Sequence, residues 1–239
     1  MIVAIHQPHY LPWLGYLHRM AQADLFVVLD HVQFERRNYQ NRGRIRLEGE
    51  GYWLTVPVVQ RSQKERIVDK LIDGSRRAWG PVHFGTLRHA YREAPYFDSY
   101  AATLRTLLES SWQRLADLDA AMLEFMRDAF AIRTPLARSS ELGVDGARSE
   151  LILNLCRAVG AHTLLAGFGA ARQYLDIAEF ARAGVRVEWH EFNHPSYRQC
   201  GEAPFIPGLA ALDLLFNCGP QSRAMLRAAG ATREACAAA

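Results

Sequence analysis

The sequence predicts an α/β fold, a mostly parallel Rossmann-like sheet with flanking helices and a helical insertion in the middle of the chain. Three patterns carry this expectation. An apolar run, a helical stretch and a second apolar run follow one another at the start of the chain; the same order returns in its last third; and the residues between show apolar side chains at three- and four-residue spacing. At 239 residues the chain suits one domain. That domain is expected over residues 1–231, with 232–239 as a frayed tail.

Residues 2–6 read as a buried strand and 25–29 as a second, with a helix over 14–22 between them. Parallel strands of such a β-α-β unit present their carboxyl ends at one sheet edge, so His6-Gln7 and Asp30 are expected to emerge near one another. A polar loop, 32–42, leads to a strand pair at 44–47 and 52–59. Between these strands, Glu48-Gly49-Glu50-Gly51 has the glycines of a hairpin turn. From 76 to 132 the pattern is helical: Leu104, Leu107, Leu108 and Trp112 share one face, as do Met122, Phe125, Met126 and Phe130, with breaks near Pro95 and Asp117. A helix at 149–159 is closed by Gly160, and a strand at 163–166 turns through Gly167-Phe168-Gly169 into another helix. A strand at 185–192 follows, then a helix at 209–216 stopped by Asn217-Cys218-Gly219-Pro220.

Composition narrows the function classes. With 49% hydrophobic and 22% charged residues the chain is an ordinary globular protein. Its 28 basic and 25 acidic side chains nearly balance, so DNA is not an expected partner. The basic residues cluster only at Arg36-Arg37, Arg42-Arg44-Arg46 and Arg76-Arg77, and a patch near 36–46 suits a phosphate. Cys156, Cys200, Cys218 and Cys236 show no C-x-x-C spacing, which supports neither a zinc ribbon nor a disulfide framework and fits a reducing compartment. The opening Ile2-Val3-Ala4-Ile5 meets His-Gln-Pro at once, leaving no room for a signal peptide's apolar region. No run approaches the ~18 apolar residues of a membrane span. A cytoplasmic location is expected.

The candidate site begins at the first strand end. His6 and Gln7 project there on a backbone restrained by Pro8 and Pro12, and His6 or His9 suits a general base. Tyr10, Trp13 and Tyr16 add aromatic lining, although core packing explains Trp13 equally well. Asp30 ends a buried strand, where a carboxylate needs a ligand, a histidine to orient or a turn to cap. Gln33, Asn38, Gln40, Asn41 and Arg42 crowd one loop with amides and a guanidinium suited to hydroxyls and to a phosphate or carboxylate; a solvated turn is the plain alternative. Gly167 opens a strand-to-helix turn whose amides suit an anion, and Tyr174 and Asp176 lie just beyond it. His194 follows the last strand and is expected to close the cleft or to sit on a surface loop.

Three other chemistries are weaker. His6, His9, His18 and His31 fall close together without a metal-ligand spacing, no metal is expected, and His18 is expected on its helix surface. Cys156 sits in an apolar helix, where a thiol is usually a small buried hydrophobe. Ser-His-Asp hydrolysis has no G-x-S-x-G elbow.

These segments resemble the WbqC-like family of bacterial proteins. The resemblance runs through His6-Gln7-Pro8-x-Tyr10-Leu11-Pro12-Trp13-Leu14-Gly15-Tyr16, Leu29-Asp30-x-Val32-Gln33-Phe34, Gln40-Asn41-Arg42 and Trp53-Leu54-Thr55-Val56-Pro57-Val58. It continues through Ser139-Ser140-Glu141-Leu142, Gly167, Tyr174-Leu175, His194-Pro195 and Leu212-Asp213-Leu214-Leu215-Phe216-Asn217-Cys218-Gly219. It implies a role in O-antigen or other surface-polysaccharide biosynthesis, with aminoacyl or acyl transfer of a glycine type onto a nucleotide-linked amino sugar. The acyl donor is open: a carrier-protein thioester, an aminoacyl-tRNA or an ATP-made adenylate. The first β-α-β unit also looks distantly like adenylate-forming ligases and nucleotidyltransferases. Their H-x-G-H is here Trp13-Leu14-Gly15-Tyr16, which keeps the glycine and replaces both histidines. A non-catalytic sugar- or nucleotide-binding module is the third reading.

Overall fold

Strand and helix alternate at the start of the chain and again over residues 136–192, as the apolar pattern dictates. The structure, a computed structural model, describes residues 1–62, 64–76, 78–169 and 171–234. In chain order it forms β1 (Ile2–His6), α1 (Leu14–Ala21), β2 (Leu25–Val28), β3 (Arg42–Leu47) and β4 (Glu50–Thr55). Then come α2 (Trp79–Ala90), α3 (Phe97–Glu109), α4 (Leu115–Ala129), β5 (Leu136–Arg138), α5 (Arg148–Ala158) and β6 (Thr163–Gly167). The chain closes through α6 (Ala171–Tyr174), α7 (Ile177–Arg182), β7 (Arg186–Phe192), α8 (Leu212–Cys218), α9 (Ser222–Arg227) and β8 (Gly230–Glu234).

The main sheet runs β5-β2-β1-β6-β7-β8, five parallel strands with β8 antiparallel at the edge. Burial on both faces explains why its strands read as continuous apolar runs. Ala4, Phe26, Val28 and Leu165 face one core, shared with α1, α3, α4 and α8. Val3, Val27, Leu164 and Val187 face the other, against α5 and α7. A one-residue slip of any central strand would exchange these sets, so register is strongly specified.

The α/β expectation and the middle insertion hold. Between β2 and β5 the chain leaves the sheet, makes the β3–β4 hairpin and then lays down α2 to α4. The helical breaks fall near Pro95, as expected, and between Glu109 and Leu115, so that Asp117 sits in the first turn of α4 rather than at a break. The short edge strand β5 escapes sequence reading because three residues carry no period. Residues 232–234, assigned by pattern to a frayed tail, continue β8, and 235–239 lie outside the described residues. No helix among the described residues is long and apolar enough to cross a membrane.

A buried polar network ties the insertion to the carboxyl-terminal third. Asp213 accepts from Tyr91 (3.0 Å), Tyr197 (2.7 Å) and Gln199 Nε2 (2.8 Å), while Gln199 Oε1 accepts from Arg46 Nη1 (2.9 Å). Each partner satisfies the next, which is what keeps such a network stable in an apolar interior.

The hairpin turn carries strain in one residue. Leu47 pairs with Glu50, leaving Glu48 and Gly49 as a two-residue loop with φ of 51° and 82°. Both angles are left-handed, as a type I′ turn requires, and glutamate pays about 1 kcal/mol there. Glu48→Asn should therefore raise the urea unfolding midpoint, by about 0.5–1 kcal/mol in stability; a loss of stability would show that the Glu48 side chain matters more than its backbone.

Candidate functional site

β1 lies between β2 and β6, and the chain leaving β1 packs on the opposite face from the chain leaving β6. This is the switch point of the sheet, where open parallel sheets form a ligand crevice at the strands' carboxyl ends. Two connected lobes of about 610 and 440 Å³ open there and share His6, Trp13, Arg19, Gly167 and Gly169.

Arg19 sets the electrostatics. It comes from α1, whose residues from Leu14 to Met20 are all buried, and it is 6% exposed. Its Nε has no hydrogen-bond partner, and no carboxylate forms an ion pair with it among the described residues. Burial pulls its pKa down to about 10, with Tyr16 and Tyr174 opposing that shift. The guanidinium crosses the end of β6 where a side chain would block it: a Cβ on Gly167 would stand 2.2 Å from Arg19 Nη1. A buried cation without a counter-charge is costly, and an anionic ligand would remove the cost.

Imidazoles surround this cation, all driven toward neutrality. His6 is held well below the usual histidine range by burial first, then by Arg19 and His9. Its Nδ1 lies 2.9 Å from the Gln7 carbonyl, which can only accept, so Nδ1 carries the proton and Nε2 keeps a free lone pair. His9 is lowered to about 3 by burial and Arg19, and its Nδ1 has no partner. His9 packs edge-on to His6 at 4.8 Å and stacks on Tyr39 at 5.0 Å. The Tyr16 hydroxyl is likewise buried without a partner. His190 is lowered to about 3 by burial, Arg19 and His18, and its Nε2 meets His18 Nδ1 at 2.7 Å.

The structure gathers His6, Gln7, His9, Trp13, Gly167 and Tyr174 around this crevice. The Trp13 indole folds over Gly15, where a Cβ would meet it at 2.2 Å. Gln40 stands one layer behind, fully buried, with Nε2 donating to Gln7 Oε1 at 2.9 Å and Oε1 accepting from the Glu35 amide.

Other expected residues go elsewhere. The Tyr10 hydroxyl is buried against His83 Nδ1 at 2.8 Å and anchors α2. Asp30 takes the capping role: it accepts from Ser139 Oγ, the Ser140 amide and Ser140 Oγ at 3.1, 2.9 and 2.9 Å, fastening β2 to the turn after β5. Asn41 donates to the Val56 carbonyl. Arg42 stacks on Trp53 at 4.2 Å, donates to the Arg37 carbonyl and lines a separate cavity. Gln33 is exposed and pairs its backbone with Arg66. Asp176 caps α7, accepting from the Glu179 amide at 3.0 Å. His194 donates to the Pro195 carbonyl amid Phe192, Tyr197 and Phe205.

His18, expected on a helix surface, is fully buried. Cys156 is buried, and burial pushes its thiol up to about 12, away from the thiolate form. The turn after Gly167 opens only the four-residue α6, too short for a helix-end anion site. No group of three or more metal-binding side chains converges among the described residues.

Arg19 and His190 escaped sequence reading. Arg19 stands three and four residues beyond Tyr16 and Gly15, on the helix face that meets the strand ends. That spacing was the available signal.

The WbqC-like protein family matches residues 7–225. This chain belongs to the WbqC-like family. The uncharacterized protein Rv1507c of Mycobacterium tuberculosis (strain ATCC 25618 / H37Rv) is 32% identical over 228 residues, covering 94% of this chain and 97% of that protein. No solved structure matches the chain.

Two substitutions separate the crevice from the scaffold. Arg19→Met removes the unpaired buried charge, so thermal stability should hold or rise, by up to about 3 kcal/mol; a marked fall would make Arg19 structural. Asp30→Ala strands two hydroxyls and an amide and should cost about 2–4 kcal/mol in urea unfolding. A neutral result there would free Asp30 for a chemical role.

Proposed function

We propose that this WbqC-like protein is a cytoplasmic transferase of bacterial surface-polysaccharide biosynthesis. It forms an amide by moving a glycyl or other acyl group onto the amine of a nucleotide-linked amino sugar. One observation carries the reading: a buried Arg19 with no ion-pair partner among the described residues stands beside a neutral His6 whose Nε2 meets no hydrogen-bond partner among them.

Arg19 pairs with the acceptor's phosphate, in a dry site where that attraction is strong. Trp13 and the exposed Phe168 and Tyr174 offer aromatic faces to sugar and base. The amine nitrogen attacks the activated acyl carbon, forming a C–N bond. The bond from that carbon to the donor's sulfur or oxygen breaks. His6 Nε2 takes the nitrogen's proton and returns it to the leaving group. Tyr16 OH, unpartnered at the same wall, is the hydroxyl available to the developing oxyanion. Arg42 faces the other cavity.

Adenylate formation or nucleotidyl transfer is the second reading, favoured by the place of Trp13-Leu14-Gly15-Tyr16 at the switch point. Against it, the Trp13 ring fills the space over Gly15. Calorimetry with ATP tests it: no detectable binding removes this second reading.

The test is incubation with nucleotide-linked amino sugars, glycine with ATP, and acyl thioesters, followed by mass spectrometry. A gain of one acyl unit on a sugar nucleotide is expected. Saturable sugar-nucleotide binding without product across the panel would leave a binding module instead. Given turnover, His6→Ala should cut kcat by about 10²–10⁴ with little change in KM. Because His6 protonates only well below pH 6.5, the rate should hold as pH falls through 6.5 and decline only well beneath it. Arg19 loses its proton near pH 10, so KM should rise above that value.

A further inference from the structure

A second cavity of about 590 Å³ adjoins the insertion hairpin, and its charge is one-sided. Its lining holds four arginines, Arg36, Arg37, Arg42 and Arg76, against one carboxylate, Asp73. That carboxylate is already engaged: Asp73 Oδ1 accepts from the Ser75 amide (3.1 Å) and hydroxyl (2.6 Å), and Oδ2 lies 3.8 Å from Arg76. Arg42 is built in rather than solvated. Its guanidinium lies over Trp53 at 4.2 Å, one nitrogen donates to the Arg37 carbonyl, and its buried Nε has no partner.

This cavity shares a wall with the crevice. Along residues 34–42, Arg36, Arg37, Asn41 and Arg42 face the basic cavity. Glu35, Asn38 and Tyr39, from the same segment, face the crevice. An aromatic ladder crosses the wall, with Arg42 on Trp53, Trp53 on Tyr39 at 5.3 Å, and Tyr39 on His9 at 5.0 Å. The wall is pinned by fully buried Gln40, bonded to Gln7 on the crevice side.

We propose that the basic cavity binds the phosphate of a second ligand, and that this ligand is the acyl donor, its reactive end passing over the wall toward His6. The donor assignment rests on the transferase reading; the anion site does not. Clustered guanidiniums recognise phosphate oxygens by paired hydrogen bonds as well as charge, and a lining this short of carboxylates leaves them free to do so.

The two cavities carry separate reporters among the five tryptophans, Trp53 in the wall under Arg42 and Trp13 in the crevice. Nitrogen-15 indole spectra of the full chain, titrated with inorganic pyrophosphate, should show both signals moving with independent saturation. The double variant Arg36→Ala, Arg76→Ala replaces exposed side chains and leaves the fold intact. It should weaken the Trp53 response at least tenfold while Trp13 responds as before. A silent Trp53, or one that moves equally in the double variant, overturns the second site. Arg19→Met should abolish the Trp13 response alone; its persistence would count against the crevice reading and not against the basic cavity. Titration with ATP and with coenzyme A then identifies the donor: the adenylate route predicts tighter Trp53 saturation by ATP, the thioester route by coenzyme A. Binding by both no tighter than pyrophosphate removes the donor assignment.

Discussion

β1 has parallel neighbours on both sides, and the chain continues from β1 onto one face of the sheet and from β6 onto the other. The backbone cannot close the gap between two such departures, so a crevice forms at the ends of His6 and Gly167 whatever side chains are present. The side chains determine what kind of crevice it is. α1 descends one wall and delivers Trp13, Tyr16 and Arg19 in successive turns, while the bare end of β6 leaves room for the guanidinium. The loop between β2 and β3 supplies a further wall through Glu35, Asn38 and Tyr39, and the hairpin and helices that follow it are tied to the carboxyl-terminal third by the Asp213 network.

Charge and neutrality are divided sharply within this space. The same burial that lowers the pKa of Arg19 keeps His6, His9 and His190 uncharged. At neutral pH a cation thus stands among bases rather than among other cations, the arrangement on which the transferase proposal rests.

Much of this was legible in the sequence because buried parallel strands announce themselves as apolar runs and polar residues cut them short. His6, Gln7 and Gly167 were found that way. Asp30 looks like a site residue by the same criterion, yet its partners, Ser139 and Ser140, lie over a hundred positions along the chain and only folding brings them to it. Tyr10 and His194 misled for a related reason: an aromatic or imidazole beside a strand end carries no mark of which way it turns. Arg19 was hidden by the habit of reading an arginine in a short helix as solvated. His18 was hidden likewise, one residue earlier. The family resemblance reached the membership and suggested the acyl-transfer reading, whereas the residues proposed to carry it had to come from placement.

Gln40 has a consequence that reaches past the crevice. Its amide is clamped between Gln7 and the Glu35 backbone, so the partition that carries it is a single piece with an occupant's space on either side. A molecule that shifts this partition from one side would shift it for the other. Linkage then demands symmetry: if the first guest alters the second guest's affinity by some factor, the second must alter the first by the same factor. Any coupling of two guests through this partition is therefore equal in both directions, whichever of them loads first.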